Sequence, residues 1–134
     1  MMPFVAVLTV YDETPTGRRS GSLVLPDVPT HITARELIRL RVREEVARYN
    51  AALGPVFRGL VRPGEAEIVR EGYRLREPRR LDWERQADAA CAAFRRNGFV
   101  LLVGQRQVEE LDEVLDLADG AEAAFVKLVA LVGG

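Results

Sequence analysis

The chain has 134 residues, a hydrophobic content of 48% and a charged content of 29%, values typical of one compact globular domain. Its formal net charge of −1 at pH 7 excludes a global electrostatic attraction to nucleic acid or to an anionic membrane. The single cysteine, Cys91, excludes an internal disulfide and a Cys-x-x-Cys metal pair. No apolar stretch reaches the roughly 18 residues that span a bilayer. Because the N-terminus also lacks the features of a signal peptide, we expect a cytoplasmic protein.

The first part of the chain predicts a β-hairpin. Residues Pro3–Tyr11 are apolar and rich in β-branched residues, which favours a strand. Residues Asp12–Gly21 contain Pro, Gly and charged residues, as hairpin turns do. Residues Ser22–Val28 then form the return strand, and Pro26 predicts that the end of this strand lies at an edge of the sheet or outside the ladder.

An amphipathic helix follows the hairpin. Thr33 is a suitable N-cap, and Glu36 three residues later completes a capping-box pattern. Apolar residues then recur at helical spacing until Gly54 and Pro55, which end the helix. Three charged residues fall on the opposite side of the predicted helix, which we expect to face solvent: Arg41, Glu44 and Arg48.

The segment from 54 to 97 is less regular. Residues 66–75 predict either a short strand pair or an irregular excursion. A second helix is predicted from Asp82, its N-cap, to Asn97 and Gly98, which favour a left-handed C-terminal cap. Its apolar face is predicted to consist of Trp83, Ala87, Ala90, Cys91 and Phe94.

The last third is predicted to be mostly strand. Residues Phe99–Val108 form a β run with a Gly turn, and Ala123–Val132 form the final strand and tail. Residues Glu109–Gly120 are an acidic connector, with a short helical turn near Leu111–Leu115. This order predicts an α+β fold, in which a helix covers one face of a mixed sheet.

Three stretches carry a resemblance to a known family. They are DGAEAAFVKLVALVGG (119–134), FVLLVGQRQVEELDEVL (99–115) and the opening hairpin with its TAREL helix. Together they resemble the β-grasp, ubiquitin-like family, which includes ubiquitin and the sulfur carriers MoaD and ThiS. The resemblance covers residues 3–53 and 98–134 and implies a single ubiquitin-like β-grasp domain, 1–134, with one main packing helix. Residues 54–97 have no counterpart and are predicted to be an insertion that contains the second helix.

The resemblance implies that the working part is the C-terminal Gly133-Gly134 pair and that the protein is not itself an enzyme. An activating enzyme would adenylate the Gly134 carboxylate with ATP, and the carbonyl would then pass to a cysteine as a thioester and to a target amine. Glycine suits this role because a chain end without side chains can enter a narrow channel. The apolar tail before the glycines would dock on the activating enzyme: Val129, Ala130, Leu131 and Val132.

The implied partners are an adenylating enzyme, a conjugating enzyme, a peptidase and target proteins, as in bacterial conjugation pathways. The protein itself needs no cofactor, since ATP would be used by the activating partner, and no binding to nucleic acid or membrane is expected. Two alternatives remain open. One is a sulfur carrier with a C-terminal thiocarboxylate, and the other is a non-covalent β-grasp interaction or self-assembly module.

Four further residues are candidate site residues. Ubiquitin-like domains bind partners through an apolar patch on the sheet, and Leu101, Phe125 and Lys127 are the candidates for it here; the alternative is that the apolar pair belongs to the core. His31 is the only histidine and is predicted to have a surface or capping role. No catalytic set and no metal site can be assembled from the sequence.

Overall fold

A five-stranded mixed sheet forms the centre of the molecule. The computed structural model describes residues 5–117 and 120–128. In chain order the elements are β1 (Val5–Glu13), β2 (Arg19–Pro29), β3 (His31–Thr33), α1 (Ala34–Ala52), β4 (Val56–Phe57), β5 (Glu67–Val69), β6 (Gly72–Arg74), α2 (Trp83–Arg95), β7 (Phe99–Val103), β8 (Arg106–Val108), β9 (Val114–Asp116) and β10 (Glu122–Lys127).

The strand order in the main sheet is β2-β1-β10-β7-β8. The first strand, β1, and the last, β10, run parallel to each other, whereas the other neighbours are antiparallel. The predicted α+β class with a mixed sheet is therefore confirmed. Strand β2 lies at an edge, as Pro26 predicted, and Pro26 falls within a register shift where Leu8 pairs with Leu25 and Ala6 with Val28.

Helix α1 begins where the sequence predicts. The Thr33 side chain accepts a hydrogen bond from the Glu36 backbone N–H at 3.1 Å, which is the expected N-cap contact. The helix ends at Ala52, and Leu53 rather than Gly54 takes the left-handed conformation, with its N–H bonded to the Tyr49 carbonyl. The predicted end is therefore correct to within one residue.

Residues 54–97, the segment predicted to be an insertion and called the insertion below, contain a three-stranded sheet and α2. Strands β5 and β6 form an antiparallel pair, which confirms the strand-pair interpretation of residues 66–75. Asp82 caps α2 by accepting from the backbone N–H groups of Glu84 and Arg85. At the other end Asn97 is left-handed, and Gly98 donates to the Ala93 carbonyl, as in a Schellman motif.

The helical turn predicted near Leu111–Leu115 is wrong. A short turn at Leu111 leads directly into β9, which pairs with β3. The physical reason lies at the start of α1, whose first backbone N–H groups have no partners within the helix. Ala34 and Arg35 donate to the carbonyls of Glu113 and Leu111, so the connector supplies carbonyls to another helix and does not form its own.

The core is continuous from the main sheet into the insertion. Leu8 of β1, Leu37 of α1 and Phe125 of β10 are fully buried between the sheet and α1. Four residues of the insertion strands and loops belong to the same cluster: Phe57, Leu60, Leu75 and Leu81. Helix α2 adds a small-residue face that packs against α1, so the insertion is part of the folded body.

Leu101 and Phe125 do not form an exposed patch; the alternative that the sequence left open, that both belong to the core, is the correct one. Both side chains have a relative exposure of 0%. The two residues are paired in register on adjacent strands, on the sheet face that α1 covers. Strand alternation therefore turns Val100, Leu102 and Val126 toward the open face of the sheet.

A pair of leucine substitutions tests this register. Leu101→Ala is expected to reduce the free energy of unfolding by about 2–5 kcal/mol, because it leaves a cavity in the core. Leu102→Ala removes the same atoms from the neighbouring, partly exposed position, and we expect a loss of less than about 1 kcal/mol. Urea unfolding of both variants measures the difference, and similar losses would contradict the register.

Candidate functional site

The predicted working residues extend beyond the described part of the chain. Gly133 and Gly134, together with the docking tail Val129, Ala130, Leu131 and Val132, lie outside the described residues. The structure does describe the tail root, which we define as Lys127 and Leu128. The Leu128 backbone N–H donates to the Gly98 carbonyl at 3.1 Å, so the last described residue is held at the start of β7.

Lys127 is not a member of an exposed patch, which corrects the sequence-based prediction for this residue. Its Nζ donates to the Gly59 carbonyl at 2.8 Å and lies 5.6 Å from the centre of the Tyr73 ring. The charge indicated a solvent-facing position, but the insertion provides a carbonyl and an aromatic ring for the ammonium instead. Burial lowers the pKa of Lys127, and the nearby carboxylate of Asp12 only partly offsets this effect.

Gly59 is required at this contact for steric reasons. A Cβ atom at Gly59 would lie 2.1 Å from the Phe57 ring, which is buried in the core. The backbone can therefore come close to Phe57 and direct its carbonyl at Lys127 only if residue 59 has no side chain. Gly59 and Gly98, near the two ends of the insertion, thus bind the two consecutive residues of the tail root.

A buried ion cluster lies beside the tail root. The Arg41 guanidinium donates to both carboxylate oxygens of Asp12, at 2.5 and 2.9 Å, and its Nε donates to Glu45 at 3.1 Å. Arg41 has a relative exposure of only 3% and lies 4.6 Å from the centre of the Phe125 ring. The prediction that Arg41 faces solvent is therefore wrong, because β1 supplies a carboxylate on the core side of the sheet.

The cluster also binds the insertion. The second carboxylate oxygen of Glu45 accepts the backbone N–H of Leu60 at 2.9 Å. Burial raises the pKa of Glu45, while the Arg41 charge acts in the opposite direction. Burial also opposes the charge of Arg41, but the carboxylates of Glu45 and Asp12 outweigh it and raise the pKa of Arg41. The Arg41–Glu45 pair therefore connects the helix, the sheet and the insertion.

A cleft of about 1560 Å³ opens above this cluster, and we call it the insertion cleft. It lies between the β1–β2 hairpin, the second half of α1 and the insertion, with Lys127 and Leu128 also at its wall. The sequence did not reveal this cleft. The Arg41–Glu45 spacing is typical of a helix pair, but the same spacing occurs at exposed positions such as Glu44–Arg48.

The open face of the main sheet is a second surface of interest. Val5, Val7 and Val24 are 41–51% exposed on β1 and β2. Alternation places further apolar side chains on the same face of β7 and β10: Val100, Leu102, Ala124 and Val126. An apolar sheet face without a covering helix is a suitable contact surface for a partner protein.

The remaining candidate residues do not form a catalytic centre. Cys91 is buried, as predicted, and burial raises the pKa of its thiol, which disfavours the reactive thiolate. His31 is exposed, as predicted, and lies 3.6 Å from Asp116. Within residues 5–117 and 120–128, no group of three His, Cys, Asp or Glu side chains is arranged to hold a metal ion. The described helices are too short or too polar to cross a membrane.

No family model, curated protein or solved structure matches the chain.

The buried and exposed Arg–Glu pairs of α1 provide a matched test of the cluster. Arg41→Ala is expected to cost about 3–5 kcal/mol of unfolding free energy, because Asp12 and Glu45 lose their cation. Arg48→Ala breaks the exposed pair with Glu44 and is expected to cost less than about 1 kcal/mol. Urea unfolding at neutral pH measures both, and equal costs would contradict the structural role of the cluster.

Lys127 predicts a specific pH dependence of stability. Between its lowered folded pKa and 10.5, the folded protein binds fewer protons at this side chain than the unfolded chain does. The free energy of unfolding of the wild type, relative to Lys127→Met, is therefore expected to rise with pH across this window. Urea unfolding of both proteins from neutral to alkaline pH measures the difference. A difference that stays flat or falls would show that burial does not penalise the charged lysine.

Proposed function

We propose that this chain is a ubiquitin-like protein modifier with a β-grasp fold. In this proposal the Gly134 carboxylate is adenylated by an activating enzyme, transferred to a cysteine as a thioester and joined to a target amine. The observation that carries the proposal is the central, parallel pairing of β10 with β1. Gly133 and Gly134 therefore follow, in sequence, soon after a strand that is paired on both sides, with β1 and with β7.

The order of elements supports the β-grasp assignment. A hairpin, a main helix on one sheet face and a last strand that pairs centrally were expected from the resemblance. Strands β1 and β2, helix α1 and strand β10 have this arrangement, and β7 and β8 complete the sheet beside β10. The insertion enters between α1 and β7 and leaves this order intact.

The chemistry explains why a modifier needs a partner. A carboxylate is a poor electrophile, because its negative charge repels nucleophiles. Transfer of AMP from ATP to the Gly134 carboxylate releases pyrophosphate and gives a mixed anhydride, and a cysteine thiolate then displaces AMP. A target amine finally displaces the thiolate and leaves an amide. In this proposal the folded domain only presents the Gly134 carboxylate, and the partner enzymes carry out the chemical steps.

The length of the chain after the sheet limits where the activating enzyme binds. Residues 129–134 follow the tail root, and six residues can span at most about 20 Å when fully extended. An enzyme that holds Gly134 in its nucleotide site would therefore also contact the body near Leu128. The apolar open face, with Val126 and Leu102, is the surface we propose for this contact.

The single lysine limits which conjugates the modifier can form with itself. Lys127 is the only lysine of the chain, and its ammonium is engaged by the Gly59 carbonyl. Few polymers linked through a side-chain amine are therefore expected, and the modifier would be attached to targets mainly as a single unit. The implied partners remain an activating enzyme, a conjugating enzyme, a peptidase and the target proteins.

Blocking the carboxylate tests the proposal directly. The purified chain is incubated with its cognate adenylate-forming enzyme, and ATP–pyrophosphate exchange is measured. Exchange is expected with free Gly134, and it should fall to background when Gly134 is amidated or when Gly133 and Gly134 are deleted, because no acyl adenylate can form. Equal exchange with the amidated chain would refute the proposal.

Intact-mass analysis then separates the modifier from the sulfur-carrier alternative. Isolation together with the native partner enzymes should give the mass of the chain joined to other proteins. A product in which one sulfur replaces one oxygen would instead identify a thiocarboxylate.

The pyrophosphate-exchange assay has its own control. Leu101→Val changes the core but not the tail, so it shows whether a loss of ATP–pyrophosphate exchange is nonspecific.

A further inference from the structure

Four arginines of the insertion line the insertion cleft without a bonding partner. They are Arg58, Arg62, Arg70 and Arg96. All four are exposed. None of the four guanidinium groups forms a hydrogen bond or a salt bridge with any residue in the described part of the chain. The cleft therefore has guanidinium groups available on the insertion side.

Most of the acidic side chains of the cleft are already paired with other arginines. Its acidic lining residues are Asp12, Glu13, Glu45 and Glu71. Asp12 and Glu45 bind Arg41 of the buried ion cluster, and Glu13 lies 3.4 Å from Arg19. Only Glu71 remains to offset the four unpaired arginines. A cationic cleft thus exists in a chain whose formal net charge is −1.

Apolar side chains also contribute to the cleft wall. Ile68 is 47% exposed, and Leu23, Val61 and the Tyr73 ring are partly exposed along the same cleft. The volume of about 1560 Å³ exceeds the roughly 300–1,000 Å³ of common small-molecule sites. An elongated ligand with both carboxylates and apolar side chains fits this combination.

We propose that the insertion cleft binds an acidic peptide segment of a partner protein. The carboxylates of the peptide bind the four unpaired arginines, and its apolar side chains lie against Leu23, Val61 and Ile68. Arginine suits this role, because its planar guanidinium binds a carboxylate through two parallel hydrogen bonds. The site gives the insertion a function of its own.

A peptide fits this cleft better than a single-stranded nucleic acid. Nucleic-acid clefts combine positive charge with aromatic rings on which bases stack. Here Tyr49 and Phe57 are buried and pack edge to face against each other, so neither ring offers a free surface. Phe99 at the same wall is also buried. Tyr73 is the remaining aromatic ring of the wall, and the Lys127 ammonium lies on one side of it.

Peptide binding is measured with the full-length chain and a fluorescein-labelled synthetic peptide that alternates Glu with Leu. Fluorescence anisotropy gives the Kd at low and at physiological ionic strength. Arg62→Gln/Arg70→Gln is expected to weaken binding by roughly tenfold or more, because two charge-assisted contacts are lost. The matched control is Arg79→Gln/Arg80→Gln, which removes two exposed arginines of the insertion outside the cleft and should change the Kd by less than about twofold.

Three results would overturn the proposal. The first is no binding by the wild type, and the second is an equal loss in both double variants, which would indicate nonspecific attraction. The third is equal or tighter binding of a single-stranded oligonucleotide of the same charge. All four substituted arginines are exposed, so circular dichroism should show that both variants keep the fold. The assay contains no activating enzyme, so its outcome is independent of the proposed modifier chemistry.

Discussion

The buried guanidinium of Arg41 connects the parts of this molecule that are distant in sequence. It donates hydrogen bonds to both carboxylate oxygens of Asp12 on β1 and to one carboxylate oxygen of Glu45 on its own helix. It also lies over the Phe125 ring of β10. Glu45 then extends the connection to the backbone of Leu60 in the insertion. A charge in such a place is costly unless every donor finds an acceptor, so the positions of Asp12 and Glu45 constrain one another through Arg41. The contacts of Arg41 with Asp12 and Glu45 therefore restrict the orientation of α1 on the sheet.

This constraint explains how an insertion of 44 residues, from 54 to 97, can coexist with a small sheet-and-helix body. Phe57 and Leu60 extend the apolar core at one end, and α2 packs on α1 at the other. The polar contacts lie at the boundary between body and insertion, where Glu45 accepts from Leu60 and Gly59 accepts from Lys127. The apolar contacts supply most of the stabilisation, and the polar contacts determine which surfaces meet.

Sequence patterns predicted the local structure well wherever the signal was itself local. The caps at Thr33 and Asp82, the edge position of Pro26 and the left-handed Asn97 all follow from the chemistry of a few neighbouring residues. The errors came from contacts between distant residues. Arg41 was predicted on the solvent side because helical spacing cannot show that a carboxylate from β1 lies above it. The same applies to Lys127, whose charge indicates an exposed position, whereas the Gly59 carbonyl binds its ammonium in the structure.

The double role of Gly98 has a consequence for dynamics. This residue closes the cap of α2 through its N–H and receives the N–H of Leu128 at its carbonyl. Any local opening that separates Gly98 from Leu128 therefore exposes the amide of Leu128 to hydrogen exchange while β1 and the start of β10 remain paired. Protection of the Leu128 amide thus reports whether the corner between α2 and β7 is formed. If the insertion detaches from the rest of the fold, hydrogen exchange at Leu128 is expected to be faster than in the intact molecule.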